Sequence, residues 1–446
     1  MNGARSFDVL VVGGGLAGAV AAKKAAEQGK SVGLVRAGGG ATVHSSGAFG
    51  IVAEPSDRSP EGSPPLVDSI RHLLRRNPHH PYALVAREAS ALQGLLEEAT
   101  EDLFGDLGGE NLFYRGSLAR NMWLATPCGH VLEAAFAQHS IAQANLSALS
   151  KARIAVVAVG ARAEPEAKAR ASNLRRTLDG MGFFGIKEIL PCPVAALPEG
   201  AGVAPDEPGI ARALDDEGTC AAWAKEVARA VENFAPRATH LLFAPVLGLR
   251  EPGVASATIA RETGREVAET VGLPPSVPGL RLERALCSVL ARKGVTVLCG
   301  RAVRAEAERG SVRRISLDSP YGPEELTARS FVLASGKFLG GGLREQNRIV
   351  EPLFDLPLFC RGRPLEELSP EERFERHVGG PHAAFEAGIR CDIDLRPYGR
   401  EGGLAFENLY AAGAVLQGTS FCTDRGGLGV SLATGYIAGL NGAEAG

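Results

Sequence analysis

The sequence predicts an α/β fold in which a mainly parallel sheet takes strands from both ends of the chain and a second α/β domain is inserted between them. Three observations lead to this prediction. An apolar run near the amino terminus breaks into a glycine-rich turn, another glycine turn opens the last helix, and the intervening region alternates strand and helix. Glycine accounts for 56 of the 446 residues and aromatic residues for only 6%, which suits many tight turns between strands and helices.

The first glycine turn is the stretch Phe7 to Gly18, which reads FDVLVVGGGLAG and continues into the helix-forming segment Ala19 to Gln28. In a Gly-x-Gly-x-x-Gly turn, Gly13 permits a tight exit from a buried strand, Gly15 lets a phosphate approach the backbone, and Gly18 lets helix and strand pack closely. The helix amino terminus adds unpaired N–H groups and partial positive charge. An ordinary glycine turn is the alternative, but a strand and a helix flank this one correctly. The sequence therefore predicts a Rossmann-like FAD/NAD(P)-binding flavoprotein fold. The cofactor-binding candidates in this turn are Gly13, Gly14, Gly15, Ala17 and Gly18.

Arg36 ends the second predicted strand, Ser31 to Val35. In dinucleotide folds an Asp or Glu at this position accepts hydrogen bonds from the ribose hydroxyls of the adenosine. A guanidinium suits a terminal phosphate better than a ribose diol. Arg36 is therefore a cofactor-binding candidate that favours FMN, with FAD held in another way as the alternative. A solvated arginine beside a loop is the simpler interpretation.

The loop Ala41 to Ile51, which reads ATVHSSGAFGI, is rich in small residues. Such a loop can approach a flat ring or a phosphate through backbone N–H groups and hydroxyls, although a polar turn is the alternative. Its candidates are Ser45, Ser46 and Gly47. His44 invites a covalent flavin link, but a single histidine in a loop is more often hydrogen-bonded or solvated.

The carboxyl-terminal part of the chain carries the remaining cofactor-binding candidates. Phe331 to Gly336 is an apolar strand that ends in small residues, where strand ends commonly meet a cofactor. Glu407 to Gly413 is a further strand, and the glycine turn beginning at Arg425 opens the last helix. That helix amino terminus can stabilise negative charge on a reduced flavin ring. The candidates in this part are Ser335, Gly336, Gly413, Gly429, Val430 and Ser431.

Residues 148–275 are predicted to form the inserted domain, between a first part at residues 1–147 and a second part at residues 276–446 of the flavin-binding domain. Strands and helices alternate again in this region, but it holds no second phosphate-binding turn, which favours a lid or a surface for substrate or partner. Its predicted elements are Ile154 to Val159, Glu166 to Leu178, Ile186 to Leu190, Cys220 to Phe234 and His240 to Val246.

Composition excludes several other classes of function. A net charge of −3, with Lys and Arg scattered along the chain, argues against binding to nucleic acid. Eight cysteines without a Cys-x-x-Cys pair argue against zinc and iron–sulfur clusters, so no metal site is expected. Neither a membrane span nor a signal peptide is evident, which predicts a cytoplasmic protein that associates with a membrane only through a partner.

Five motifs together resemble the fumarate reductase and succinate dehydrogenase-like flavoprotein superfamily, and within it the family of the B-type subunit of anaerobic glycerol-3-phosphate dehydrogenase. The resemblance is strongest near both ends and thin between about Gly160 and Pro274. The motifs are VVGGGLAG at Val11 to Gly18, HSSGAFG at His44 to Gly50, HPY at His80 to Tyr82, LASGKFLGGGL continuing to EPL at Leu333 to Leu353, and ENLYAAGAVL at Glu407 to Leu416.

The resemblance implies a non-covalent flavin, because Ala41 falls where the superfamily attaches its covalent flavin. It further implies FMN, a second flavoprotein subunit, and an iron–sulfur subunit that passes electrons to the quinone pool. The implied reaction oxidises sn-glycerol 3-phosphate to dihydroxyacetone phosphate. That reaction needs a cationic clamp for the phosphate and a base for the C2 hydroxyl proton. Arg344 and Arg348, which share one face if their segment is helical, are candidate clamps; His382 is the candidate base and Arg390 a second clamp.

Other functions remain open from the sequence. Each of the four catalytic candidates can equally form a surface salt bridge or a subunit contact. The chain could relay electrons while a partner binds the substrate. A self-sufficient fumarate reductase-type flavin oxidoreductase is a second enzymatic hypothesis. A non-enzymatic scaffold or electron-relay subunit of a redox complex is the third.

Overall fold

The computed structural model describes residues 5–53, 63–194, 197, 206–377, 380 and 382–445. Strands and helices alternate along most of this length. The strands are β1 (Arg5–Val12), β2 (Val32–Arg36), β3 (Ala48–Phe49), β4 (Tyr114–Gly116), β5 (Met122–Ala125), β6 (Val131–Ala134), β7 (Phe136–Gln138), β8 (Ala152–Val159), β9 (Ile186–Val194), β10 (His240–Phe243), β11 (Glu266–Glu269), β12 (Thr296–Cys299), β13 (Arg301–Glu308), β14 (Ser311–Ser319), β15 (Gly322–Leu333), β16 (Arg344–Glu345), β17 (Ile349–Val350), β18 (Leu358–Cys360), β19 (Arg363–Pro364), β20 (Gly388–Ile389) and β21 (Leu409–Ala411).

The helices include both long packing helices and single turns. They are α1 (Leu16–Glu27), α2 (Leu66–Arg76), α3 (Tyr82–Val85), α4 (Ala89–Gly108), α5 (His139–Ala142), α6 (Ala163–Gly180), α7 (Glu207–Ala213), α8 (Glu217–Phe234), α9 (Pro252–Thr263), α10 (Val277–Arg292), α11 (Pro370–Arg373), α12 (Ala383–Glu386), α13 (Phe421–Asp424) and α14 (Gly427–Ala445), with 3-10 turns at Gly40–His44, Leu146–Ala148, Leu365–Glu367 and Gly413–Val415.

The main sheet has seven strands drawn from both ends of the chain. Its centre is parallel, with β1 flanked by β2 and β15, β12 outside β2, and β21 beside the end of β15. Strands β14 and β13 extend the sheet antiparallel along the first half of β15. The carboxyl ends of β1, β2 and β15 therefore meet at one edge, where the glycine turn after β1 also lies. The predicted α/β class and Rossmann-like arrangement are confirmed.

Helices α1 and α14 pack together against this sheet because small residues let their backbones approach. A methyl group built on Gly435 would lie 2.5 Å from the carbonyl oxygen of Ala17, and one on Gly439 would lie 2.6 Å from that of Ala21. Since real Cβ atoms do not come so close to a backbone oxygen, both Gly435 and Gly439 have to remain glycine. The last helix is thereby held over the first, and both amino termini reach the same edge of the sheet.

A second sheet of four parallel strands lies between Ala152 and Glu269, in the order β11, β10, β8, β9. Helices α6, α8 and α9 pack on it, and its core includes the fully buried Trp223 and Phe243. The strands and helices predicted for the inserted domain all occur, with slightly different ends. The exact division at residues 148 and 275 stays a prediction.

A buried ion pair connects helix α10 to strand β11 of the second sheet. Arg281 on α10 donates to both carboxylate oxygens of Glu269, at 2.7 and 3.0 Å, at the end of β11. Both side chains are almost fully buried, and the Arg281 guanidinium also donates to the carbonyl of Gly248. The remaining carboxylate lone pairs accept from Ser140 and from the Leu247 N–H, so the charged carboxylate is well satisfied.

Within the described part of the chain, no helix combines the length and the apolar character needed to cross a membrane.

Candidate functional site

A cleft of about 610 Å³ opens at the carboxyl edge of the main sheet. Its walls come from six places: the turn after β1, the loop after β2, the connection between β12 and β13, the segment after β15, the turn after β21, and the start of α14. The lining residues used below are Gly13, Gly14, Gly15, Ala17, Ala37, Gly38, Ala41, Thr42, Gly300, Arg301, Ala302, Ser335, Gly336, Lys337, Arg344, Glu351, Ala414 and Ser431. Ligand sites in open α/β sheets lie at this edge, outside the strand ends.

The turn after β1 has the geometry that the glycine pattern predicts. Gly13 has a φ of +124°, and a Cβ there would lie 2.1 Å from the carbonyl oxygen of Ala334. A Cβ on Gly18 would lie 1.9 Å from the carbonyl oxygen of Gly13, so both positions require glycine. Gly15 is different, because a Cβ there would meet only the hydroxyl of Thr42, at 3.5 Å. That hydroxyl accepts the N–H of Leu16 at 2.9 Å and thereby fixes the first turn of α1 beside the cleft.

The second glycine turn places the amino end of α14 beside that of α1 in the same cleft, since a Cβ on Gly413 would lie 2.7 Å from the Ala17 Cβ and 3.7 Å from the Ser431 hydroxyl. Ser431 lines the cleft, and its hydroxyl donates to the carbonyl of Gly427 at 2.8 Å. Gly413 donates its N–H to Thr434 of α14, which ties the end of β21 to the helix. Gly429 packs behind the wall, where a Cβ would lie 2.4 Å from the Tyr82 hydroxyl. Of the four candidates in this region, Ser431 lines the cleft, whereas Gly413, Gly429 and Val430 hold the helix in place.

The Arg36 guanidinium does not face the cleft. It donates to the carboxylate of Glu283 and, at 2.8 Å, to the Cys287 sulfur, and both partners lie on α10. The side chain also packs against the turn, since a Cβ on Gly14 would lie 2.5 Å from the Arg36 Cβ and 3.2 Å from its Nε. The sequence could not show that α10 places a carboxylate against this arginine. Arg36 is paired on α10 and is not among the residues that line the cleft, so a contact of Arg36 with a terminal phosphate stays a prediction.

The loop after β2 contributes to the cleft through its first residues only. Ala41 and Thr42 line the cleft, as parts of the 3-10 turn Gly40–His44. The chain then turns away, so Ser45, Ser46 and Gly47 are not among the lining residues. The Ser45 carbonyl accepts from Ser276, the Ser46 carbonyl accepts from the Gly272 N–H, and Gly47 packs on Pro278. These candidates attach the loop to the start of α10.

Arg344 is the one of the four catalytic candidates that lines the cleft. Arg344 and Arg348 do not share a helix face. Their segment is extended, because β16 and β17 form an antiparallel hairpin that pairs Arg344 with Val350. The glycine run before Arg344 disfavours a helix, and Asn347 adopts a positive φ of 62° at the turn. Arg348 points to the carboxylates of Asp355 and Glu366, at 4.0 and 3.7 Å, in a separate surface groove.

His382 and Arg390 lie outside the lining of the cleft. His382 is buried and precedes α12, where its Nδ1 accepts the backbone N–H of Glu375 at 2.9 Å and its ring contacts Phe374 and Phe385. Arg390 stacks over the rings of Phe359 and Tyr398, at 5.1 and 4.8 Å. Both side chains are thus engaged in local packing, and the structure does not bring them to the predicted catalytic position.

Lys337 and Glu351 also line the cleft, although the sequence patterns did not point to them as site residues. Lys337 follows Ser335 and Gly336 directly, at the end of β15, so a charged residue just past a predicted strand end was the available signal. Its ammonium nitrogen donates to the carbonyls of Phe385 and Thr419, at 2.5 and 2.8 Å. Glu351 is fully buried and accepts the backbone N–H groups of Leu353 and Phe354, so it shapes the loop. Burial raises the pKa of the Glu351 carboxyl.

The cleft fits a flavin nucleotide. Its volume lies in the range of small-molecule and cofactor sites, and the amino-terminal turns of α1 and α14 both line it. Ser335 Oγ is buried and has no hydrogen-bond partner within the described residues, which leaves a polar group for a ligand. The fold and the site define a nucleotide-binding flavoprotein of the oxidoreductase class.

Comparisons with known proteins identify the family. The family model described as "FAD binding domain" matches residues 8–430. The B-type subunit of anaerobic glycerol-3-phosphate dehydrogenase from Pectobacterium carotovorum is 32% identical over 438 residues, covering 96% of each chain. The probable B-type subunit of the same enzyme from Halobacterium salinarum is 28% identical over 445 residues, covering 98% of each. The chain belongs to this family of anaerobic glycerol-3-phosphate dehydrogenase subunits and is a flavin-dependent oxidoreductase. The predicted resemblance is confirmed.

Among solved structures, 3-ketosteroid Δ1-dehydrogenase from Sterolibacterium denitrificans aligns over 99% of each chain with 11% identity and a TM-score of 0.44.

Proposed function

We propose that this chain is the flavin subunit of an anaerobic glycerol-3-phosphate dehydrogenase, which oxidises sn-glycerol 3-phosphate to dihydroxyacetone phosphate and passes the electrons to a quinone through partner subunits. The observation that carries the proposal is the cleft lined by the amino ends of α1 and α14, in a chain 32% identical to a relative of that name over 96% of its length. The name of the relatives supports glycerol 3-phosphate as the substrate, and the family resemblance supports a quinone as the electron acceptor.

The flavin in this proposal is FAD rather than FMN. The cleft continues past the Gly13 to Gly15 turn to Ala37 and Gly38, and reaches the segment from Gly300 to Ala302 beyond them. An FMN would end with its phosphate at the turn and leave this extension empty, whereas the adenosine of FAD would fill it. The matching family model, described as an FAD binding domain, supports the same choice. The cofactor would be non-covalent, since Ala41 offers no nucleophile to the ring.

Arg344 is the proposed contact for the substrate phosphate. A phosphate monoester dianion is best held by a guanidinium, which can donate two parallel N–H bonds. Arg344 is half-buried and lines the cleft, and the adjacent Gly341 leaves room beside its guanidinium. Arg348, Arg390 and His382 take no part in this proposal, because their side chains are engaged elsewhere.

The proposed partners are a second flavoprotein subunit and an iron–sulfur subunit, with the quinone pool reached indirectly through them. The designation of the relatives as one subunit of a larger enzyme supports the existence of partners. A cytoplasmic location, with membrane contact made through a partner, is proposed on the same basis.

The test begins with the purified chain, from which the cofactor is released by heat and identified by mass. FAD is expected, and FMN would overturn the assignment of the extended cleft. The flavin absorbance near 450 nm is then followed anaerobically after addition of sn-glycerol 3-phosphate, with the enantiomeric phosphate as the matched control. Bleaching by the sn-3 compound supports the proposal.

The other outcomes distinguish the remaining hypotheses. Bleaching that occurs only when the partner subunits are co-purified would make the chain an electron relay. Reoxidation of a dye-reduced sample by fumarate would favour a self-sufficient reductase. A colourless protein that still binds its partners would identify a scaffold.

A further inference from the structure

A surface groove of about 300 Å³, the hairpin groove, lies behind one wall of the cleft. The shared wall is the β16–β17 hairpin, in which Arg344 lines the cleft and its cross-strand partner Val350 lines the groove. After the hairpin the chain returns first to the cleft and then to the groove. The groove is lined by residues 347–350, 355–358 and 364–366, together with Arg373 and Arg400.

The floor of the hairpin groove is apolar. Leu356, Leu358 and Leu365 are buried side chains that line it, and Pro357 and Pro364 lie half-buried beside them. Protein interfaces commonly seat an anchoring side chain in such a pocket, with polar groups around it. The groove can therefore take an apolar side chain from another molecule, and the charges at its rim decide what accompanies that side chain.

Two arginines and two carboxylates form a closed ring of charge at the rim of the groove. Arg348 lies 4.0 Å from Asp355 and 3.7 Å from Glu366. Arg400 lies 3.1 Å from Asp355 and 3.9 Å from Glu366. Each guanidinium thus meets both carboxylates, so the four groups balance one another. Because Arg348 lies between β16 and β17, the ring ties the hairpin to the far side of the groove.

Arg373 is a third guanidinium at this rim, and the ring does not neutralise it. Its Nη2 donates to the backbone carbonyl of Glu366 at 3.3 Å, which places the guanidinium beside the ring. Within the part of the chain that the structure describes, no carboxylate lies within 4.0 Å of Arg373, and its Nε is buried without an acceptor. A buried donor without an acceptor is costly. Three arginines against two carboxylates leave one positive charge in the groove, so the group that completes it is an anion.

We propose that the hairpin groove is the docking site for a partner subunit, which inserts a segment that carries one carboxylate beside an apolar side chain. The carboxylate accepts N–H bonds from the Arg373 guanidinium, which matches its geometry with two parallel donors. The apolar side chain lies on the leucine floor. The docked partner is then one hairpin away from the cleft that holds the flavin. The inference rests on the proposed function, because that proposal supplies the partner.

The experiment measures binding of each proposed partner subunit, purified separately, to the flavin-loaded chain by biolayer interferometry. Arg373→Met keeps the apolar stem without the charge, and Arg373→Lys keeps the charge without the parallel donors. Arg313→Met, at an exposed arginine of β14, is the matched control. Flavin content and urea unfolding are compared first. Arg400→Glu, at a half-exposed residue of the same rim, keeps the test decisive should Arg373→Met unfold more easily.

One of the two partners is expected to bind the wild type and Arg313→Met with the same Kd. Loss of the charge-assisted bonds should raise the Kd of Arg373→Met by roughly 10 to 150-fold, mainly through faster dissociation, with Arg373→Lys in between. Arg400→Glu should weaken binding as well, because it adds a carboxylate that repels the incoming one. Higher ionic strength should weaken binding to the wild type more than binding to Arg373→Met.

The contrary outcomes separate this inference from the proposed function. Wild-type affinity in both Arg373→Met and Arg400→Glu overturns the docking site and leaves the proposed function intact. Failure of both partners to bind the wild type overturns the proposed partners and this inference together, whereas flavin reduction by sn-glycerol 3-phosphate tests the reaction separately. Two results would assign the groove to another occupant and overturn the inference. These are self-association that Arg373→Met abolishes while partner binding is unchanged, which identifies a second copy, and thermal stabilisation of the wild type but not of Arg373→Met by inorganic phosphate alone, which identifies a small anion.

Discussion

Replacement of Gly15 by valine separates flavin binding from folding. Gly15 caps α1 with extended backbone angles, φ −77° and ψ −177°, which valine can adopt. Its Cβ would touch only the Thr42 hydroxyl, at 3.5 Å, so the fold has room for the side chain. Because Gly15 lines the cleft, however, the two methyl groups would stand where the backbone must approach a phosphate.

The expected effect on flavin affinity follows from the contacts that the methyl groups displace. Loss of one charge-assisted hydrogen bond from a backbone N–H to a phosphate oxygen costs about 1.5–3 kcal/mol. Each 1.4 kcal/mol is a factor of ten, so the Kd of the flavin should rise by roughly 10 to 150-fold. The cost to folding is smaller, because glycine exceeds valine as a helix cap by about 1 kcal/mol.

The assay has two parts. Flavin affinity is measured by fluorescence titration of the flavin-free protein, and stability of the same flavin-free protein is measured by urea unfolding followed by circular dichroism. Gly94→Val is the matched control, since Gly94 is an exposed residue of α4 with no atom within 4 Å of its added Cβ. Gly18→Val is the opposite control, since its Cβ would lie 1.9 Å from the Gly13 carbonyl oxygen and should disrupt the turn and the fold together.

Two results would refute this reasoning. Flavin bound by Gly15→Val with wild-type affinity would mean that no phosphate approaches the backbone at this turn. Unfolding of Gly15→Val to the same extent as Gly18→Val would mean that the space beside Thr42 does not exist in solution.

Three further predictions concern the substrate contact and two buried charge clusters. Arg344→Ala should raise the KM for sn-glycerol 3-phosphate, whereas Arg348→Ala, an exposed residue outside the cleft, should leave both KM and stability unchanged within about 0.5 kcal/mol, as checked by steady-state kinetics and urea unfolding. Arg281→Met should destabilise the protein by about 3–5 kcal/mol because it leaves a buried carboxylate without its partner, and removing that carboxylate as well should recover part of the loss in urea unfolding. Burial by itself would raise the pKa of Glu27, but Lys23, whose ammonium contacts three carboxylates, holds that pKa below its usual range. Since a lowered carboxyl pKa stabilises the fold above the unfolded value near 4.5, this contribution should vanish as pH falls through the folded pKa, and Lys23→Met should weaken the acid dependence of unfolding measured from neutral pH down to below that pKa.

Local patterns were enough to predict the fold class and one end of the site. The run of apolar residues before Gly13 and the spacing to Gly18 are set by contacts within a single strand, turn and helix, so the sequence carries them directly. The same holds for the amphipathic segment Leu66–Arg76, which forms α2. The helical pattern of residues 82–100 is instead divided into α3 and α4, because the backbone becomes extended at Ala86.

Side-chain roles were harder to predict because they depend on residues far away in the chain. Arg36 is paired with Glu283, which follows it by 247 positions, and no local pattern reports that pairing. His382 has the chemistry of a base, yet the fold buries it against Phe374 and Phe385. Lys337 donates to the carbonyls of Phe385 and Thr419, which its own neighbourhood in the sequence does not contain.

The sequence by itself determined the glycine turn between β1 and α1, because the positive φ of Gly13 and the contact of Gly18 with the Gly13 carbonyl are set within one strand, turn and helix. It also determined the family, through motifs near both ends of the chain. Only the tertiary structure decided which charged groups meet the cleft. Charged groups are satisfied by the partners that folding brings near, so Arg36 pairs with Glu283 on α10, whereas Arg344 and Lys337 are among the residues that line the cleft.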